Sequence, residues 1–167
     1  MSDVIYARPL DPPTSPSEFM EFAKGASGCL DLYRVQWKKS FLASSGARVL
    51  CWYRAPDAES ARMALRQLGS DLNGVWSGTP WQPDGAPSLD EVDVVAELDT
   101  QPGAETLADS LTKGDVDLVQ HVASVDGKRS VLLLRAGDTQ GAVAALGAAG
   151  LDPRQVWRCT PLSRRNQ

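Results

Sequence analysis

The chain has 167 residues, of which 43% are hydrophobic and 23% are charged, and its formal net charge is -4. That hydrophobic content is enough for a folded core, in one domain or in two small modules. The small negative charge excludes a strongly basic surface, so we expect no nucleic acid partner.

Targeting signals and cysteine usage indicate the compartment. The N-terminus lacks the basic start and apolar run of a signal peptide, and no apolar stretch approaches the roughly 20 residues that span a bilayer. The three cysteines, Cys29, Cys51 and Cys159, are an odd number without C-x-x-C spacing. This pattern is typical of neither a disulfide framework nor a structural zinc site. We therefore expect a cytoplasmic protein with reduced thiols and no membrane partner.

The first half of the chain predicts the order strand, helix, strand, strand, helix, strand. Ser15 to Glu18 has the pattern of a capping box with proline at the first helical position, and the helix is expected to run to about Gly28. Asp57 is expected to cap the second helix and Gly69 to end it. The predicted strands are residues 4–8, 32–43, 47–55 and 74–78, with a hairpin turn at 44–46.

The second half repeats this order. It predicts a strand at 92–98, a helix at about 102–112, a hairpin that turns at Asp126 and Gly127, and a last strand at 155–159. Asp138 is expected to cap the helix before that strand, and Gly150 to end it. Residues 82–88, between the halves, have the composition of a linker.

An internal repeat connects the halves. Shifting the sequence by 81 positions aligns Val75-Trp76 with Val156-Trp157, and many residues between 46 and 80 find identical partners without a gap. The repeat predicts a duplicated module. We assign a first repeat to residues 1–81, a linker to 82–89, a second repeat to 90–162 and a basic tail to 163–167.

These observations predict an α+β protein of two fused ferredoxin-like βαββαβ repeats. Each repeat leaves one face of its sheet without helices, and an apolar face must be covered. We expect the two sheets to cover each other as a pseudo-dimeric, α/β-barrel-like pair with a cavity between the repeats. The chain should then be a monomer or a weak homodimer. If the sheets instead faced outward, the chain would have to dimerise.

Residues 35–41 (VQWKKSF) and 50–59 (LCWYRAPDAE) carry a family resemblance. They resemble a bacterial family of small ferredoxin-like domains of unknown function, in which one member is described as a nickel-binding protein and single-copy members form dimers. The resemblance covers about the first 80 residues, and it reaches the second half only through the internal repeat. It implies nickel or another transition metal as a ligand.

The chain departs from the family pattern at Lys39, where the family often has histidine. A protonated lysine has no lone pair to give to a metal. One histidine and three scattered cysteines also make no ordinary metal-binding set, so we assign no metal ligands.

Residues present in only one repeat are the better candidates for function, because shared residues serve the shared fold. An alignment that shortens the second hairpin by three residues pairs Trp37 with His121 and Lys39 with Ala123, whereas a gapless alignment pairs His121 with Ser40. Strand alternation then puts Trp37 and Lys39 on one face, and His121 on the equivalent face of the other repeat. The expected ligand-binding residues are Trp37, Lys39, Cys51, Tyr53 and His121.

Three functions remain open from the sequence. No G-x-S-x-G elbow, Walker loop, dinucleotide fingerprint or H-E-x-x-H motif occurs, which favours binding over catalysis. We expect a protein that binds a small molecule in the cavity between the repeats. The alternatives are a nickel or other transition-metal binding protein, as the resemblance implies, and a small-molecule enzyme with His121 or Lys39 as the acid-base group. The sequence assigns no catalytic residue and no cofactor.

Overall fold

The computed structural model describes residues 1–70 and 72–164. Within them the protein belongs to the α+β class, with eight strands, four α-helices and one short 3-10 helix. The chain divides into two compact units, Met1–Gly78 with the described residues from Leu162 onward, and Thr79–Pro161. No helix in this described part is both long and apolar enough to cross a membrane. Of the predicted basic tail, residues 165–167 lie outside the described residues.

The first unit has the predicted ferredoxin-like order of elements. Strand β1 pairs antiparallel with both β3 and β4, and β3 pairs antiparallel with β2, so the strand order is β2-β3-β1-β4. The elements are β1 (Ser2–Pro9), α1 (Pro16–Leu32), β2 (Gln36–Ala43), β3 (Arg48–Ala55), α2 (Ala58–Gln67) and the first part of β4 (Val75–Trp81).

The second unit repeats the arrangement after the 3-10 turn Leu89–Glu91. Strand β5 pairs antiparallel with β7 and β8, and β7 pairs antiparallel with β6, so the order is β6-β7-β5-β8. The elements are β5 (Val94–Leu98), α3 (Ala104–Lys113), β6 (Asp117–Ser124), β7 (Ser130–Arg135), α4 (Thr139–Ala148) and β8 (Gln155–Leu162).

The predicted helix caps are confirmed. The Ser15 hydroxyl accepts a hydrogen bond from the backbone N–H of Glu18, and the Glu18 carboxylate accepts one from the backbone N–H of Ser15. Asp57 and Asp138 each accept a hydrogen bond of 2.7 Å from a backbone N–H three residues later and so cap α2 and α4.

The two units share local geometry at positions 81 residues apart. Arg34 and Asp115, which follow α1 and α3, have left-handed φ angles of 59° and 60°. After Arg34 the N–H of Val35 donates to the carbonyl oxygen of Leu30, and after Asp115 the N–H of Val116 donates to that of Leu111. That the units arose by duplication stays a prediction.

The first helix is longer than predicted. It continues past Gly28 to Leu32, and Tyr33 and Arg34 form the turn that follows, so the predicted strand start at Leu32 is wrong. The two glycines in this helix have ordinary helical geometry and do not terminate it. Strands β4 and β8 also extend beyond the predicted ends at Gly78 and Cys159.

Each hairpin contains a β-bulge at the same place. The register shifts between Trp37 and Lys39 in β2, and between Leu118 and Gln120 in β6. A bulge inserts one extra residue, so the side chains on its two sides change faces. The sequence prediction that Trp37 and Lys39 share a face is therefore wrong.

The strand registers also correct the predicted alignment of the hairpins. Ser40 lies opposite Cys51, and His121 lies opposite Leu132, which is 81 positions after Cys51. His121 is therefore the equivalent of Ser40. The predicted pairs of Trp37 with His121 and of Lys39 with Ala123 are wrong, because the two hairpins do not differ by three residues.

Candidate functional site

Polar side chains lie in the core of the first unit, on the face of its sheet that α1 and α2 cover. Opposite residues in an antiparallel pair share a face. Tyr6, Cys51 and Ser40 therefore form one row across β1, β3 and β2, and Tyr53 and Trp37 lie together in the next row. The core that these strands form with the helices includes Phe19 and Leu30 of α1 and Ala61, Ala64 and Leu65 of α2.

Hydrogen bonds join these polar side chains. The Trp37 indole Nε1–H donates to Ser40 Oγ at 2.9 Å, and the Ser40 hydroxyl donates to Cys51 Sγ at 3.0 Å. The Tyr53 hydroxyl also makes a hydrogen bond with Cys51. The buried polar atoms of this network thus satisfy one another within the core.

The thiol and the phenol of this network stay protonated. Burial raises the pKa of Cys51, although hydrogen bonds from Ser40 and Tyr53 and the positive charge of Arg8 act in the opposite direction. Burial also raises the pKa of Tyr53 well above its ordinary value, and nearby Cys51 raises it further. A buried protonated thiol is a poor nucleophile, so this geometry favours neutral hydrogen-bonding groups over a reactive thiolate.

Arg8 places a cation at the edge of the network. Its guanidinium carbon lies 5.4 Å from the centroid of the Tyr6 ring and 5.8 Å from that of Phe22, within the range of cation–π contacts. The Arg8 Nε atom is buried and has no hydrogen-bond partner among the described residues. A buried donor without an acceptor costs free energy, so this nitrogen needs an explanation.

A cavity of about 20 Å³ lies under α1 in the first unit, next to the network. This volume is enough for about one water molecule. Phe22 lines the cavity and is also 41% exposed, so the cavity is close to the surface. The lining residues are Phe19, Phe22, Ala23, Ala26, Leu30, Trp37, Tyr53 and Leu68.

The structure thus brings together three of the five residues predicted from sequence, Trp37, Cys51 and Tyr53. Lys39 follows the bulge and lies opposite Trp52, on the other face of the sheet, where it is 4% exposed. The bulge residue Lys38 places its Nζ atom 3.9 Å from the centroid of the Trp52 ring. Burial, the largest effect there, lowers the pKa of Lys38.

His121 belongs to the second unit. It lies on the face that α3 and α4 cover, opposite Leu132 of that unit's core, and is 5% exposed. Its Nε2 atom is buried without a hydrogen-bond partner among the described residues. Burial lowers the pKa of this imidazole, so the neutral ring is favoured.

The second unit carries apolar residues where the first has its network. The strand registers place Leu118, Leu132 and Leu134 at the positions of Trp37, Cys51 and Tyr53. They also place Ala96 and Leu98 at the positions of Tyr6 and Arg8. All five of these residues belong to one buried apolar core.

Sequence reasoning missed Arg8, Phe19 and Phe22. Alternation along β1 puts Tyr6 and Arg8 on one face, and the i, i+3 spacing puts Phe19 and Phe22 on one side of α1, so both signals were present in the sequence. These signals indicated no function from the sequence alone, because only the folded chain brings the charge of Arg8 close to Cys51 and Tyr53.

The described residues hold no group of three or more His, Cys, Asp or Glu side chains close enough together to bind a metal ion. Cys159 is buried like Cys51, and its burial raises the pKa of the thiol to about 12. The nickel ligand implied by the family resemblance therefore stays a prediction.

Comparisons with known proteins give no family. No protein-family model matches the chain, and no curated protein matches it in sequence. Among solved structures, an anthrone oxidase-like protein aligns with 12% identity and a TM-score of 0.45 over 95% of this chain and 89% of its own. A candidate monooxygenase from Lactobacillus acidophilus aligns with 9% identity and a TM-score of 0.46, over 96% and 94% of the two chains. A candidate chlorite dismutase aligns with 8% identity and a TM-score of 0.46, over 97% of this chain and 94% of its own. Similarity of this extent assigns neither a family nor an activity.

Proposed function

We propose that the first unit binds a small organic molecule under α1, with an aromatic or apolar body against Trp37 and Tyr53. The observation that carries the proposal is the cavity beside a polar network that the second unit lacks. Trp37 and Tyr53 belong to both the network and the cavity lining, and they offer ring faces together with polar groups. Such a combination is typical of small-molecule sites.

The fold does not require these polar residues. The second unit builds the same strand pairings with leucine at the positions of Trp37, Cys51 and Tyr53. Buried hydroxyl, thiol and indole N–H groups raise the free energy of unfolding only modestly when they are hydrogen-bonded, and they lower it when they are not. A role in ligand binding explains why the first unit keeps them.

One lining residue of the cavity, Ala26, is smaller than its equivalent in the second unit. Ala26 lies one helical turn before Leu30, and the equivalent position before Leu111 is occupied by Leu107. Both Ala26 and Leu107 are buried. The second unit therefore carries a larger buried side chain at the position equivalent to Ala26.

A molecule larger than water needs α1 to move outward. Gly25 and Gly28 lie inside this helix, and glycine stabilises a helix by about 1 kcal/mol less than alanine. Phe22, which is partly exposed, is placed to swing away from the cavity. The glycines thus make the helix over the cavity easier to deform than a helix of the same length with alanine at these two positions.

The test is binding of 2-phenylacetamide, a neutral aromatic probe, followed by amide chemical shifts in NMR. We expect a dissociation constant on the order of 1 mM, reasonable for a ligand of about 10 non-hydrogen atoms. Shifts should concentrate in α1, β2 and β3. Ala26→Leu, which installs the residue of the second unit, should weaken binding at least about tenfold by occupying the site.

Ala104→Leu is the control, because it makes the same change on α3, at a residue that does not line the cavity. Circular dichroism checks that each variant is folded, and the smaller Ala26→Val serves if Ala26→Leu is not. Absence of shifts in α1 in the wild-type protein, or unchanged affinity in the Ala26 variants, would contradict the proposal.

The other functions expected from the sequence stay predictions. They are the cavity between the repeats, the transition metal and catalysis by His121 or Lys39. The catalytic prediction needs a separate test for each residue. His121 lies under the helices of its unit, whereas Lys39 lies on the face of its sheet that does not carry Trp37.

A further inference from the structure

We propose that the ligand of the α1 site is an aromatic or apolar carboxylate, with its anionic group bound by Arg8. This inference rests on the proposed function and adds the chemical class of the ligand. It comes from the contacts of Arg8 with the Tyr6 ring and with the ring of Phe22, which lines the cavity.

Arg8 is positioned next to the cavity by its ring contacts. Its guanidinium carbon lies 5.8 Å from the centroid of Phe22, and Phe22 lines the cavity. The Tyr6 ring holds the guanidinium from the strand side, at 5.4 Å. The positive charge also acts on Cys51 and Tyr53, and Tyr53 belongs to the lining. Arg8 therefore contacts one residue of the cavity lining, Phe22, and its charge is felt by another, Tyr53.

The hydrogen-bonding geometry of Arg8 points to a carboxylate. Nε and the neighbouring terminal nitrogen of a guanidinium form a planar fork that matches the two oxygens of a carboxylate. The Nε member of this fork is buried and has no acceptor among the described residues. A carboxylate bound there would satisfy Nε and supply the countercharge that a partly buried cation needs.

The fold does not explain the arginine. Arg8 lies opposite Val49, and the equivalent pair in the second unit is Leu98 opposite Ser130. Leu98 is 3% exposed and belongs to the core of that unit. An apolar residue thus serves the same strand position when no cation is needed.

The experiment compares phenylacetate with 2-phenylacetamide, which have the same size and shape and differ in charge. We expect wild-type protein to bind phenylacetate about tenfold more tightly, because a hydrogen bond to a charged group is stronger than one between neutral groups. In Arg8→Gln the affinity for phenylacetate should fall to that for the amide, which should itself change little. Arg66→Gln removes an exposed positive charge from α2 and should keep the tenfold preference.

The ratio of the two affinities within one protein is the deciding quantity, since a change in packing or stability alone would affect both ligands alike. Equal binding of acid and amide by the wild type, or a preference that survives Arg8→Gln, would overturn the inference and leave the proposed function standing. Binding of neither ligand would overturn both.

Discussion

The equivalence of Ser40 and His121 shows how one residue changes the chemistry of a shared position. In the first unit the small hydroxyl of Ser40 links Trp37 to Cys51 through two hydrogen bonds. In the second unit the larger imidazole lies opposite Leu132, with a buried nitrogen that lacks a partner among the described residues. A hydrogen-bonded network is thus replaced by a buried ring that is unfavourable to ionise.

That environment predicts a stability change with pH. Burial lowers the pKa of His121 in the folded state, so the unfolded state binds more protons near its ordinary pKa of about 6.5. The contribution of His121 to the free energy of unfolding is therefore fully present above the unfolded pKa of about 6.5, and it is lost as the pH falls through the lower pKa of the folded state. The free energy of unfolding should therefore decrease on acidification by at most about 1.4 kcal/mol per pH unit from this one proton.

His121→Gln, which cannot titrate, provides the comparison. Urea unfolding of both proteins at about pH 7.5 and about pH 5.5 should show a larger loss for the wild type, because all other titrating groups are common to the two. Parallel losses in the two proteins would mean that the His121 pKa is not lowered on folding.

At the scale of elements, caps and turns could be predicted from the sequence. Asp57, Asp138 and the Ser15 box start their helices as expected, and Gly46 and Gly127 take φ angles of 75° and 80° in the two hairpin turns. These features depend on residues adjacent in the chain, whose side-chain chemistry determines the local backbone.

The bulges could not be predicted in the same way. Lys38 and Val119, the extra residues, share no chemistry, and strict alternation was the simpler expectation. One extra residue moves every later side chain of a strand to the other face. That single feature separated Lys39 from Trp37, whereas His121 lies on the helix-covered face of its unit, the face equivalent to that of Trp37, as expected. Arg8 was missed for a related reason, since its surroundings come from residues distant in sequence.

The glycines of α1 give a prediction at this scale. A Cβ atom added to Gly25 or Gly28 would meet no atom within 4 Å, and neither residue has a left-handed φ. Alanine at each position should raise the free energy of unfolding by about 0.5 to 1 kcal/mol, because it favours the helix over the unfolded chain. If α1 must deform for ligand entry, the variant that combines Gly25→Ala with Gly28→Ala should also bind 2-phenylacetamide more slowly.

Gly46→Ala is the contrasting variant. Its φ is 75°, and an added Cβ would lie 2.5 Å from the Thr14 carbonyl oxygen, so we expect destabilisation. Chemical denaturation of all three variants measures the differences. A loss of stability in Gly25→Ala and Gly28→Ala would show that α1 needs glycine at these positions for a reason other than the absence of steric contacts.

At the scale of the whole molecule, several large apolar side chains on the helix-free face of each unit's sheet are buried. On the face away from α1 and α2, Ile5, Leu50 and Trp52 are at most 1% exposed. On the corresponding face of the second unit, Val95 and Leu133 are fully buried. No second copy of the chain is needed to remove these side chains from water.

Assembly follows from this burial, and we predict a monomer of 17.9 kDa. Among the described residues, Leu32 at the end of α1 is the most exposed large apolar residue, at 74%, and exposed apolar residues do not make an interface unless they form a contiguous patch. Sedimentation velocity from about 1 to 100 µM should give a single species at the monomer mass, because association needs an apolar patch of several hundred Å² or more. Leu32→Asp should sediment identically. A dimer that persists at the lowest concentration, or one that dissociates only in Leu32→Asp, would contradict the prediction and identify a surface at which two chains meet.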